Sequence, residues 1–484
     1  MRLGQLDIAG LAVDSDAAGV EITGVTADSR AVRPGSLFAA LKGAARDGAV
    51  FAPDAVKAGA RAVLASASVA LPPLGVPVIR ADDPRRMLAM IAARLFPRQP
   101  DHIVAVTGTS GKTSVAAFTR QIFEAAGYEA ASVGTIGVVT NHTADYGSLT
   151  TPDPVTLHQT LERLEQAAVT HVAMEASSHG LEQRRLDGVR LRAAAFTNLG
   201  RDHMDYHPTV ADYLAAKLRL FGELLPASGA AVVNMDSPVA AEVLAVSEKR
   251  GHRLIRVGKH ASEIRPVRVE ADGFRQRISI EAFGRRHDVL LPLAGAFQIS
   301  NALVAAGLAI AAGVPELTAF EALEGLHGAP GRLERVGETA KGALIYIDYA
   351  HKPEALTSVL GALKPLARGR LVVVFGAGGD RDQGKRPLMG RAAVAAADLV
   401  IVTDDNPRSE DPAAIRAAIM AGAPGAMEIA DRRKAIQAAI AMLGPGDILC
   451  IAGKGHETGQ IVGKEILPFS DHAVVAEALK GRAA

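Results

Sequence analysis

The sequence predicts an α/β protein of three domains, on three observations. The chain has 484 residues, too many for one core at roughly 150 residues per domain. Short apolar runs alternate with alanine-rich helical stretches, the pattern of strands and helices in turn. One apolar run, residues 104–107, leads straight into a glycine-rich turn, a lysine and a hydroxyl residue placed to open a helix. The expected architecture is a central P-loop-type ATPase sheet flanked by a small N-terminal α/β domain and a C-terminal Rossmann-like domain.

In residues 1–99, runs such as S-L-F-A-A-L and A-V-L-A alternate with turn residues, and A-R-L-F-P-R-Q-P closes a helix with prolines. Residues 100–328 carry strands that end in polar clusters: H-V-A-M-E-A-S-S-H, A-A-A-F-T-N-L-G-R-D-H and A-A-V-V-N-M-D. Ligands of open α/β sheets sit beyond the carboxyl ends of the strands, so these clusters should converge on the edge that carries the glycine turn. Residues 329–484 hold the runs A-L-I-Y-I-D-Y, L-V-V-V-F-G, L-V-I-V-T-D and I-L-C-I-A-G, separated by helical stretches, which reads as a Rossmann-like sheet.

Composition excludes several classes. Lys plus Arg number 53 against 52 Asp plus Glu, a formal charge of +1, without the basic excess of a nucleic-acid-binding surface. No continuous apolar run reaches the roughly 20 residues that span a bilayer, and the first residues lack a long apolar signal core. The single cysteine, Cys450, excludes an internal disulfide and lies in an apolar run, where a buried thiol is expected. A cytoplasmic, monomeric enzyme is the expectation.

Residues 104–113 read V-A-V-T-G-T-S-G-K-T. Gly108 and Gly111 allow backbone N–H groups, with those of Thr109, Ser110 and Ser114 nearby, to approach phosphate oxygens. Lys112 offers a point charge, Thr113 a hydroxyl for Mg²⁺, and the helix that follows its positive dipole end. Val106 stands where the general pattern has a further glycine, so the loop is a variant.

These blocks, with E-A-S-S-H-G-L, T-N-L-G-R-D-H-M-D-Y-H, G-R-L-E, D-Y-A-H-K-P and D-N-P-R-S-E-D-P in this order, resemble the Mur ligase family, amide-forming enzymes that assemble the peptidoglycan precursor peptide. The resemblance covers all three blocks and implies ATP as co-substrate, Mg²⁺, and a carboxylate activated as an acyl phosphate. Glu175 ends an apolar strand, where an ionised group is costly without a cation, and is expected to share Mg²⁺ with Thr113. His203 resembles the ligand of a second metal; read alone, a lone histidine is a structural residue. From pattern alone Lys217 is the solvated lysine of an amphipathic helix. The resemblance instead makes it a lysine carbamylated by CO₂ (N6-carboxylysine), a modification that needs a neutral amine and so favours a desolvated site.

The resemblance also distributes the substrates. Asn301, Arg332 and Asp348 fall to ATP, with His351 placed in the same motif, and Gln298 stands where the family usually has Asn. Ser29, beside Arg30 in T-A-D-S-R, resembles the uridine-binding turn. Thr150, Thr151, Ser177, Gln183 and Arg185 resemble the residues that bind the UDP-N-acetylmuramoyl dipeptide, with capping and turn roles the alternative for the threonines. Asp405, Asn406, Pro407 and Arg408 form D-N-P-R, the pattern of the subgroup that adds meso-diaminopimelate, whose distal carboxylate suits an arginine fork. Arg381, Gly453 and Glu457 match further positions that hold this amino acid. The rival expectations are an L-lysine-adding or other Mur- or folylpolyglutamate-type ligase and, in a different class, a P-loop regulator that ligates nothing.

Overall fold

The computed structural model describes residues 1–11, 15–43, 46–145, 147, 149–200 and 206–480. Contacts divide the chain into two compact units, Met1–Arg265 with Val304–Ala319 and Pro266–Leu303 with Phe320–Ala484.

The first unit begins with a parallel sheet of Gly24–Thr26, Ser36–Ala40, Ala62–Ser66 and Val78–Ala81, side by side in chain order. Ser36–Ala40 is buried throughout, as expected of a parallel strand covered on both faces. Helix Pro84–Leu95 starts where the Asp83 carboxylate accepts from Arg86 N and proline occupies the first turn. Its Leu88, Ile91 and Ala92 pack with Leu37, Leu64 and Ile79.

A second sheet in this unit places His102–Thr107 between His171–Glu175 and Leu191–Phe196, all parallel. Ala130–Gly134 lies beyond the former; Ala230–Asn234 and Arg253–Val257 lie beyond the latter. The chain thus crosses from one side of His102–Thr107 to the other, a topological switch point. Register fixes what emerges there: Val106 is opposite Glu175 and Thr107 opposite Phe196. The glycine turn, the Glu175 carboxylate and the Thr197 cluster therefore leave the sheet at one edge. One face of this sheet is sealed by Leu157, Leu161 and Leu164 of helix Pro154–Gln166, spaced at helical repeat.

In the second unit, five strands run parallel in the order Leu344–Asp348, Ile448–Ala452, Leu371–Phe375, Leu399–Val402 and Met427–Glu428. Glu334–Glu338, which the apolar-run reading did not single out because its residues are mostly charged or small, adds an antiparallel edge. Helices on both faces close two cores, one around Leu356, Leu360 and Met389, the other around Ile436, Ile440 and Val475. Cys450 sits fully buried in the central strand, and burial pushes its thiol pKa well up. Two antiparallel hairpins, Arg275–Ala282 with Arg285–Leu291 and Gly459–Val462 with Glu465–Pro468, complete the unit. Among the described residues no helix is long and apolar enough to cross a membrane.

Candidate functional site

The phosphate loop is built around Gly108, whose φ is +147°, and Gly111, at +88°. A Cβ on Gly108 would stand 1.9 Å from Thr197 Oγ1, so only glycine fits. Asn198 holds the turn: its Oδ1 accepts from Ser110 N at 3.0 Å and its backbone O from Thr109 N at 2.8 Å. Lys112 opens helix Lys112–Ala125 and folds its Nζ onto Gly108 O and Thr109 O, each at 2.9 Å. Thr113 and Ser114 are buried on the same first turn.

Glu175 is only 2 % exposed. Its Oε2 accepts from Thr113 Oγ1 at 3.0 Å and Thr135 Oγ1 at 3.2 Å, and its Oε1 from Thr135 N at 2.7 Å. A carboxylate flanked by hydroxyls is an oxygen donor set that fits Mg²⁺, which keeps several waters and takes substrate phosphates for the rest. No group of three or more His, Cys, Asp or Glu that could hold a metal occurs among the described residues.

Lys217, on helix Val210–Arg219, is 1 % exposed. Its Nζ donates to Gly108 O at 2.8 Å and lies 4.2 Å from the Tyr213 ring centroid, while Tyr213 Oη and Thr109 Oγ1 share a hydrogen bond of 3.2 Å. The solvated lysine read from helical pattern is thus a buried one beside the glycine loop, and its desolvation suits a carbamate. His203 lies outside the described residues.

Threonines and serine continue from Glu175. Thr135 and Thr150 share a hydroxyl hydrogen bond of 3.0 Å, Thr151 Oγ1 donates to Glu175 O at 3.0 Å, and Ser177 Oγ caps helix Ser178–Glu182 by accepting from Gly180 N. Arg185 reaches back to Thr151 O at 2.6 Å and grips Gln183 Oε1 through Nε and Nη2. Arg185 and Gln183 line a cavity of about 590 Å³ with Thr26, Asp28, Arg85 and Asp153. Ser29 directly follows Asp28, whose carboxyl is held down to about 2 by the side chain and backbone N–H of Arg30.

In the second unit, Asn301 Nδ2 donates to Gln298 Oε1 at 3.1 Å, and Gln298 Nε2 to Arg332 O at 3.2 Å. The Arg332 guanidinium stacks on Tyr349, 4.8 Å from its centroid, and its buried Nε has no hydrogen-bond partner among the described residues; an anion would satisfy it. Asp348 accepts from Leu333 N at 2.6 Å and Ala350 N at 2.7 Å, and burial pushes its carboxyl up to about 6, with Arg332 and those amides opposing. It therefore pins G-R-L-E to the end of its strand. His351 Nδ1 is 2.8 Å from Tyr349 O, and burial lowers its pKa.

The D-N-P-R turn follows strand Leu399–Val402. Arg408 has a left-handed φ of +52°, kept by backbone bonds to Ile461 O at 3.0 Å and from Gly463 N at 2.7 Å. Its Nη1 donates to Gly379 O at 2.9 Å. Pro407 packs so closely that a Cβ on Gly379 would lie 1.9 Å from its carbonyl O. Asn406 Nδ2 donates to Glu457 Oε2 at 2.8 Å, and its Oδ1 accepts from Ile461 N at 2.9 Å. A Cβ on Gly453, at φ +113°, would be 2.6 Å from Asp405 Oδ2. Arg381 is exposed nearby in sequence to Gly379.

Thr135, Asn198, Asp28, Arg85 and Lys454 were not assigned from sequence. Asn198 and Asp28 stand inside quoted motifs and Lys454 lies between Gly453 and Glu457, and their hydrogen-bonding side chains were the available signal. Thr135 and Arg85 acquire their places only through strand order.

Three family profiles match the chain: Mur ligase middle domain over residues 106–309, Mur ligase glutamate ligase domain over 331–455, and Mur ligase family catalytic domain over 21–95. A relative from Mesorhizobium japonicum named UDP-N-acetylmuramoyl-L-alanyl-D-glutamate--2,6-diaminopimelate ligase is 59% identical over 480 residues, covering 99% of each chain. One of the same name from Brucella melitensis is 57% identical over 482 residues, 100% of this chain and 99% of the relative. A solved structure described by that enzyme name is 32% identical, with a TM-score of 0.75 and 100% of both chains covered. MurF of Thermotoga maritima in complex with ADP, at 18% identity, a TM-score of 0.61 and 96% of each chain, shares the fold.

Proposed function

We propose, from the premise that this chain belongs to the Mur ligase family, that it joins meso-diaminopimelate to the D-glutamyl γ-carboxylate of UDP-N-acetylmuramoyl-L-Ala-D-Glu, consuming ATP, in peptidoglycan biosynthesis. The observation that carries this reading is Glu175, whose one carboxylate receives Thr113 from the phosphate loop and Thr135 from the threonine cluster. It joins the site for the transferred phosphoryl group to the site for the acid that accepts it. Similarity along the full length of diaminopimelate ligases supports the choice of amine.

In this reading the γ-carboxylate attacks the γ-phosphorus of ATP, giving acyl phosphate and ADP. The diaminopimelate amine then attacks the acyl carbon, and phosphate leaves from a tetrahedral intermediate. Gly108, Thr109, Ser110, Gly111 and Ser114 present backbone and hydroxyl donors to the phosphates, and Lys112 swings from its own loop carbonyls to the transferred group. Mg²⁺, held by Thr113 and Glu175, would neutralise phosphate charge. Lys217, as a carbamate formed with CO₂, would with His203 supply oxygen and nitrogen ligands for a second Mg²⁺. Asn301, Arg332 and Asp348 serve the nucleotide: adenine edge, phosphates and ribose.

Ser29, Thr150, Thr151, Ser177, Gln183 and Arg185 bind the UDP-muramoyl dipeptide, which the cavity beside Arg185 and Asp28 is large enough to receive in part. Arg381, Asp405, Asn406, Pro407, Arg408, Gly453 and Glu457 form the diaminopimelate site. The assigned domains are 1–99 for the uridine nucleotide, 100–328 for ATP and 329–484 for the amino acid. The protein acts as a cytoplasmic monomer.

The test is an amine panel: purified protein, Mg²⁺, ATP and UDP-muramoyl dipeptide with diaminopimelate, L-lysine or D-alanyl-D-alanine, read by product mass. Diaminopimelate alone should lengthen the peptide. A lysine product, or ATP consumption with no lengthened peptide, overturns the reading.

A further inference from the structure

Lys454 is 0 % exposed, a rare place for a lysine, whose buried charge must be paired. Its Nζ lies 3.1 Å from Glu457 Oε2, 3.1 Å from Asn406 Oδ1 and 3.7 Å from Asp405 Oδ1. Gly453 and Gly455, at φ +113° and +54°, flank it, and a Cβ on Gly455 would meet Tyr349 Cβ at 2.8 Å. The backbone therefore passes close to its neighbours on both sides of the lysine. Asn406 is the hub: it donates to Glu457, and its Oδ1 accepts from both Lys454 and Ile461 N. These bonds tie its side chain to Glu457, Lys454 and the Ile461 backbone, so it braces the turn.

We propose that Lys454 is a positioning residue that sets specificity for an amine substrate with a zwitterionic distal end. The inference rests on the reading above that D-N-P-R and Glu457 receive diaminopimelate. Two carboxylates, Asp405 and Glu457, face one buried ammonium, which leaves the trio with one net negative charge. That residual charge, at Glu457, whose side chain is 30% exposed, matches the substrate's distal ammonium, and the Arg408 fork matches its carboxylate. Lys454 acts on the substrate only through Glu457: it anchors one Glu457 oxygen so that the other is aimed, and it balances the buried Asp405 carboxylate beside the site.

The experiment measures KM for diaminopimelate, KM for ATP and kcat for Lys454→Met, Glu457→Gln and the double variant. Lys454→Met should raise the diaminopimelate KM by about tenfold or more and leave the ATP KM within about twofold. Because the lysine acts through Glu457, Lys454→Met made in the Glu457→Gln background should raise that KM by less than about threefold. An unchanged diaminopimelate KM, an equal rise in the ATP KM, or effects that multiply in the double variant would overturn the proposal. Should Lys454→Met not fold, the same split is read on Lys454→Gln, which keeps a donor without the charge; a diaminopimelate KM equal to that of the unmodified chain overturns it. If the unmodified chain adds no diaminopimelate, the underlying reading fails; if it does and the variants match it, the role of Lys454 alone fails.

Discussion

Thr113 Oγ1 and Glu175 Oε2 are 3.0 Å apart although 62 residues separate them in the chain. The first opens the helix after the phosphate loop, the second ends the neighbouring parallel strand, and the register of Val106 with Glu175 brings them together. Glu175→Gln keeps the shape and loses the charge that a hard cation requires. Turnover should fall by roughly 10²-fold or more, the scale of losing one charge-stabilising group, with the melting temperature little changed. Phosphate release assayed across a Mg²⁺ titration checks this; a variant as active as the unmodified chain removes Glu175 from the chemistry.

Lys217→Ala should nearly abolish turnover with the fold intact. The side chain is buried against Gly108 O and the Tyr213 ring, so truncation also leaves a cavity, costing about 1–3 kcal/mol. Circular dichroism separates the two effects. Intact mass of the native protein, recorded under CO₂, is expected to include the carbamate, and a variant retaining the full rate ends the assignment.

For Arg408→Lys the charge stays and the fork is lost. The diaminopimelate KM should rise by about tenfold or more while the ATP KM moves little. Steady-state kinetics with each substrate varied in turn decide it, since a solvated, structural arginine would leave both constants alone.

Asp348 gives a pH dependence of defined sign. Burial raises its carboxyl from the ordinary value of 3.8 to about 6. A folded value above the unfolded one means that its contribution to stability is present in full below about pH 4 and is lost as pH rises through 6, on the order of 3 kcal/mol. Asp348→Asn removes this titration, though it loses one of two backbone hydrogen bonds. The stability difference between variant and unmodified chain, from denaturant melts, should therefore change between pH 4 and 6 and be level above 7. A difference that is flat from pH 4 to 7 excludes the raised value.

The glycine loop was legible because its chemistry is written in consecutive residues: a strand, two glycines at positive φ, a lysine and a hydroxyl. The parallel strands His171–Glu175, Leu371–Phe375 and Ile448–Ala452 were legible for the same reason, each being a short buried apolar run. Lys217 was misread by pattern because helical spacing says which residues share a face, not whether that face meets solvent or a neighbouring loop. Arg408 carried a signal of chemistry in D-N-P-R, but its left-handed backbone depends on Ile461 and Gly463, which belong to a hairpin far along the chain. Thr135 had no local signal, since its partner Glu175 comes from another strand.

Cys450, the chain's single cysteine, occupies the middle of the six-stranded sheet with no exposed surface. A thiol so enclosed reacts with an alkylating reagent only when the strands around it part. Its labelling rate is consequently a built-in stopwatch for the opening of that sheet, needing no engineered probe, and any ligand that steadies the sheet would slow the clock.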